Sequence, residues 1–174
     1  MAEAVLGGST PSAGTSNKYR LPTTVSPKHY DLIFKTDLSS SPPQFSGEAL
    51  ITLDVHSDTP KLIFNLSSTL KISHIAIASS DLKTESSMVL SLSALSIDES
   101  QERGTLDLTS LPSGGLKAGS KGVKVWMAFE AELAGTMTGY YKSEGDPDDS
   151  GMKPVYALTQ FESTSRSEER RVGK

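Results

Sequence analysis

The 174-residue chain carries 17 Lys and Arg against 21 Asp and Glu, a formal net charge of −4, and no cysteine. That balance argues against a nucleic-acid partner, and the missing cysteine excludes a disulfide framework and a thiolate metal site. No apolar run approaches the roughly 20 residues of a membrane-crossing helix, so one globular domain with loose ends and no membrane partner is expected.

Residues 1–18 mix Ala, Gly, Ser, Thr and Pro without periodicity. Such a segment buries too little apolar surface to offset the entropy of ordering, and reads as a disordered arm. It has no basic start and no apolar stretch, so it is not a secretory signal. Glu3 and the lack of Arg argue against a mitochondrial transit peptide. Cytoplasmic residence is the expectation, and the sequon Asn65-Leu66-Ser67 is then incidental.

From Tyr19 onward the dominant signal has period two. His29 to Leu38 reads as a strand with Tyr30, Leu32 and Phe34 on one face. Ser39 to Pro43 is a turn. In Phe45 to Val55, the series Phe45, Gly47, Ala49, Ile51, Leu53, Val55 alternates with Ser46, Glu48, Leu50, Thr52 and Asp54, the cleanest amphipathic strand of the chain. Gly47 inside it implies a bulge or a close backbone approach. Leu62 to Leu66 and Leu70 to Ala78 follow as short strands. Met88 to Ile97 is apolar but interleaved with Ser, and Gly104 to Leu111 is a further short strand.

Pro112 to Gly122 is a loop rich in Gly, Lys and Ser. Val123, Val125, Met127, Phe129, Ala131 and Leu133 then alternate with Lys124, Trp126, Ala128, Glu130 and Glu132 in a second long strand. Gly135 to Ser143 is a strand-like turn segment, with Gly135 and Gly139 re-aiming the chain. Glu144 to Met152 is an acidic surface loop, and Val155 to Glu162 is the last strand. About eight or nine short strands, with no helical period, define an all-β fold: an antiparallel sandwich or saddle.

Catalytic constellations are missing. His29, His56 and His74 have no second His or Glu at zinc-ligand spacing. There is no H-E-x-x-H, phosphate-cradling Gly loop or nucleophile elbow. Asp146, Asp148 and Asp149 lack the spacing and closing Glu of a calcium loop, so they read as solvated. Trp126, on a strand, reads as a packed or half-exposed residue. On these grounds alone the chain is a soluble β-sandwich, with a free-standing binding module as one of its possible roles.

Five segments, in order, resemble the N-terminal domain of zinc aminopeptidases of the aminopeptidase N and puromycin-sensitive type. They are Tyr19-Arg20-Leu21-Pro22 with Pro27-Lys28-His29-Tyr30-Asp31-Leu32, Phe45-Ser46-Gly47-Glu48-Ala49 with Ile51, Leu53 and Val55, Leu62-Ile63-Phe64-Asn65, Gly135 to Ser143, and Thr159-Gln160-Phe161-Glu162. The resemblance covers residues 19–162. It implies an accessory β-domain that packs on a following catalytic domain of the same chain. Zinc and the H-E-x-x-H motif would lie in that domain, so this chain needs no cofactor of its own and is expected to be inactive alone. The resemblance also implies that Glu162 binds the free α-amino group of the peptide substrate and that Gln160 lines the pocket for its first side chain. Residues two apart in a strand share a side, so the two could face one cavity. Relatives that have lost the zinc motif act as scaffolds, a second reading disfavoured by the retained Gln160 and Glu162.

After Glu162 only Thr164 fits the family's Pro-Thr-Asp-Ala-Arg continuation. Residues 166–174, Arg-Ser-Glu-Glu-Arg-Arg-Val-Gly-Lys, can be back-translated into the start of a widely used sequencing-library adapter. Residues 163–174 are therefore read as a non-native or disordered tail. The last strand, deprived of the domain that covers it, is expected to promote association.

Overall fold

A computed structural model describes residues 20–78, 87–137 and 139–160. The two strongly alternating segments become neighbours. β2 (Gln44–Val55) and β8 (Val123–Glu132) pair antiparallel, with Leu53 opposite Val123, Ile51 opposite Val125 and Ala49 opposite Met127. Because side chains alternate, this register places all of those residues on one face. β1 (Val25–Asp37) flanks β2. β4 (Lys71–Ala78) flanks β8 and carries β5 (Met88–Leu90), giving the order β1-β2-β8-β4-β5. A second sheet, in the order β3-β7-β6, joins β3 (Lys61–Asn65), β7 (Arg103–Asp107) and β6 (Leu95–Asp98). The antiparallel hairpin of β9 (Gly139–Glu144) and β10 (Val155–Gln160) forms a third. The described residues thus hold ten strands and no α-helix.

The core lies between the five- and three-stranded sheets. Leu53, Val55, Ile75, Ile77, Leu90, Val123, Val125 and Met127 come from the larger sheet, and Leu62 and Leu106 from the smaller. Leu108 and Leu116, from the loops, close it. Burying an aliphatic side chain of this kind is worth about 1.5–3 kcal/mol. Ile75, Leu106, Leu108, Val123 and Val125 are the most completely enclosed, so they mark the centre of the sandwich.

Several segments differ from their sequence reading. Met88 to Ile97 is not one element. β5 belongs to the large sheet and β6 to the small one, with a single 3-10 turn (Leu92–Ala94) between them. Ser91 caps that turn, its Oγ accepting from the Ser93 N–H at 3.3 Å. β1 starts at Val25, four residues before the expected His29, and a bulge near Pro27 takes up the proline's missing donor at the sheet edge. The Gly-rich loop before β8 is tied down rather than loose. Leu116 is buried and bridges Thr59, and the Asp58 carboxylate accepts from the Ala118 N–H at 2.8 Å and pairs with Lys117 at 3.3 Å.

Candidate functional site

Of the two residues singled out for substrate contact, Gln160 falls at the end of β10. Gln160 is its last residue, is exposed, and lies opposite Gly139 of β9. Glu162 lies outside the described residues, as does the tail that follows it. Gly139 adopts φ +70° and a Cβ there would meet nothing within 4 Å. The side of the ladder facing Gln160 is therefore open, with no cross-strand side chain to occupy it. Tyr141 opposite Leu158 and Ser143 opposite Tyr156 continue the same face. Tyr156 and Leu158 remain 50% and 43% exposed, an apolar surface leading to Gln160.

The other face of the hairpin fixes its position. Tyr140 enters a cluster with Phe45 and Phe34, at centroid separations of 5.2 and 5.9 Å, and its hydroxyl hydrogen-bonds the Thr36 hydroxyl. Phe129 completes the cluster, 5.9 Å from Phe34 and 6.4 Å from Phe45. The edge-to-face tilts set positive ring edges against negative faces. Ala134 bridges Tyr141 in parallel, and the Lys142 N–H donates to the Ala134 carbonyl at 2.9 Å. The hairpin is thus stapled to the end of β8 and to the inner face of the large sheet. Residues 135–137 bend, and Gly139, which opens β9, adopts the left-handed φ of +70°.

Gly47 makes the aromatic cluster possible. A Cβ at this position would stand 2.6 Å from the Ile33 carbonyl oxygen and 2.7 Å from two ring carbons of Phe129. Of the two explanations for a glycine here, close approach is the one observed. The β2 register runs unbroken through Gly47, and the irregularities of the large sheet fall between Pro27 and His29 and between Ile72 and His74.

The three histidines have local structural partners. His29 pairs with Asp31 at 3.1 Å, His56 Nε2 lies 2.8 Å from the Ser26 hydroxyl, and His74 Nδ1 lies 3.1 Å from the Ser73 hydroxyl. The described residues contain no group of three or more His, Cys, Asp or Glu that could hold a metal ion. Trp126, half-buried on the outer face, donates its indole N–H to Glu48 at 3.0 Å. The acidic loop is organised by Asp148, whose carboxylate accepts from the Ser150 hydroxyl at 2.6 Å and from the Ser150 and Met152 N–H groups at 2.9 Å. The Ser150 hydroxyl first, then the two amides, hold its pKa below the ordinary carboxylate value. A shallow depression of about 200 Å³ on the outer face of the large sheet is lined by Ile33, Lys35, Glu48, Ser73 and Glu130, and no hairpin residue takes part in it.

The described residues form an antiparallel β-sandwich with a docked hairpin, whose β10 strand leads from the exposed Tyr156 and Leu158 to the polar Gln160. The chain belongs to the family described as the peptidase M1 N-terminal domain, whose model matches residues 26–168. That match covers most of the chain and extends past Glu162. No curated protein matches it.

Proposed function

We propose that this chain is the N-terminal accessory domain of a zinc aminopeptidase that removes N-terminal residues from peptides. The observation that carries the reading is the family match over residues 26–168, together with a hairpin strand whose exposed Tyr156 and Leu158 lead to Gln160. In this reading the following catalytic domain of the parent chain covers that strand. Gln160 lines the pocket for the first side chain, and Glu162, two residues on, takes the peptide's α-ammonium. A carboxylate suits that role because its hydrogen bond to an ammonium is charge-assisted. In this reading zinc belongs to the following domain, and no hydrolytic step is assigned to this chain. The lack of cysteine fits a reducing compartment, and we place the parent in the cytoplasm, which fractionation would check.

The test is Glu162→Gln in the full-length parent. Losing a charged hydrogen bond of about 1.5–3 kcal/mol lowers kcat/KM for a free-amine peptide by about 10- to 100-fold. A peptide with an acetylated N-terminus, already a poor substrate, should be indifferent to the change. Equal kcat/KM for parent and variant on the free-amine peptide would overturn the assignment.

A further inference from the structure

β1 is an edge strand: among the described residues it pairs with β2 and with no strand on its other side. Proline, bulges and inward charges are the usual protections of such an edge. Here Pro27 and the bulge sit at the N-terminal end, and from His29 to Asp37 the register with β2 is regular. Tyr30, Leu32, Ile33 and Phe34 in that stretch are each about half exposed. The free edge is therefore unbulged, carries exposed apolar side chains among its charges, and is able to template another strand.

The charges on this strand select what would pair with it. Two copies of β1 meeting about a two-fold axis run antiparallel with like faces together, so residues of the same parity stand opposite one another. With Ile33 on the axis, Asp31 of each copy faces Lys35 of the other and His29 faces Asp37. On the inner face Leu32 meets Phe34, twice over. Shifting the axis by one residue in either direction destroys this. With Leu32 on the axis Asp31 faces the uncharged Ile33, and with Phe34 on the axis Asp31 faces Asp37, so the Asp31–Lys35 pairs are lost in both. Opposite charges directly across a ladder stabilise it and like charges oppose it. Asp37 is held ionised by the Ser39 hydroxyl and N–H, at 2.6 and 2.9 Å.

We propose that the free edge of β1 pairs with β1 of a second copy of this chain, centred on Ile33, joining the two five-stranded sheets into one. The surface is separate from the hairpin face that carries Gln160, so it does not depend on the peptidase reading.

Sedimentation equilibrium on the 174-residue chain should give a reversible monomer–dimer equilibrium. Asp31→Lys sets Lys against Lys at two symmetric positions, and Lys35→Asp sets Asp against Asp. Each should weaken dimerisation by about tenfold or more, since two pairs of up to about 1 kcal/mol each are lost and replaced by repulsion. Mixing the two variants in equal amounts places every Lys opposite an Asp, and a heterodimer should form with an affinity near that of the unmodified chain. Recovery on mixing does not depend on how either variant behaves alone, and circular dichroism verifies that both are folded. A monomer at all concentrations, open-ended oligomers, or no recovery on mixing would each overturn the proposal. So would association that ignores the charge changes but vanishes with Leu158→Ser, because that would place the contact on the hairpin.

Discussion

Replacing Gly47 by Ala tests whether the aromatic cluster positions the hairpin. A methyl group there would press on the Ile33 carbonyl at 2.6 Å and on the Phe129 ring at 2.7 Å. The ring could tilt, but it is wedged against Phe34 and Phe45, and the carbonyl belongs to the neighbouring strand's backbone. Overpacking of this kind costs about 1–3 kcal/mol, whereas Gly→Ala in a strand interior otherwise favours the folded state by about 0.5–1 kcal/mol. The steric cost is the larger, so Gly47→Ala should lower the urea midpoint, by on the order of 1 M at typical slopes. Gly104→Ala offers a graded comparison. Its Cβ meets only side chains, the Phe64 ring at 2.9 Å and Leu66 Cδ2 at 3.2 Å, and it should cost less. Hydrogen exchange should also quicken in β9 and β10 of the Gly47 variant, because Phe129 and Tyr140 belong to one cluster. A Gly47→Ala protein as stable as the parent, with unchanged exchange in the hairpin, would refute the reasoning.

Tyr140→Phe keeps the ring and loses the bond to Thr36, and should cost about 0.5–1.5 kcal/mol in urea unfolding. Tyr140→Ala removes the ring as well and should cost more, with proteolysis appearing first around the hairpin. Acid should destabilise the fold in a defined window. Asp37, Asp98, Asp107 and Asp148 are held below the ordinary carboxylate value, in each case first by a neighbouring Ser or Thr hydroxyl, and Asp58 first by the Ala118 amide. The folded state therefore binds fewer protons than the unfolded one. This contribution is complete above the unfolded pKa and is lost as the pH falls through the lower folded values, below about pH 4. Thermal melts from pH 6 to pH 3 should show the loss, with a shallower slope for Asp58→Asn, and a flat Tm down to pH 3 would contradict it. That variant should also expose the loop of residues 112–122 to protease at neutral pH, since Asp58 ties it to the turn after β2.

What could be read from the sequence follows the burial. β2 and β8 alternate cleanly because each has one face on the core and one on the outside, so period and environment agree. β1 has the same period, and its register does put Tyr30, Leu32 and Phe34 on the inner face, opposite Ile51, Ala49 and Gly47. Their half exposure was not legible, because it depends on how far the smaller sheet reaches across. The split of Met88 to Ile97 between two sheets was hidden for a related reason. Leu90 and Leu95 are equally apolar, and only the partners β4 and β7 decide which sheet each joins. Gly47 was legible as an anomaly, a glycine in a strand, but its cause is a ring 82 residues away in sequence, on β8. Gln160 stood out through resemblance alone, since an exposed Gln at a strand end has no signature of its own.

The hairpin reaches its place without a core of its own. Its backbone is tied in through the Ala134–Tyr141 bridge and the Lys142–Ala134 hydrogen bond, and its side chains through the bond between the Tyr140 hydroxyl and Thr36 of β1. An isolated two-strand hairpin is marginal in water, so the rest of its order comes from side-chain packing, Tyr140 on Phe34 and Phe45 and the burial of Tyr141. That arrangement divides the labour between strands of one ribbon. Tyr140 holds the hairpin against the sandwich from one side and the buried Tyr141 anchors the β9 half of the other, while Tyr156, Leu158 and Gln160 of β10 stay exposed. Side chains alternate along a strand, so a change on the holding side should move the presenting side as a rigid piece. Substitutions at Phe34, Phe45 or Phe129, none of them near Gln160 in sequence, should then act on whatever Gln160 contacts by displacing it.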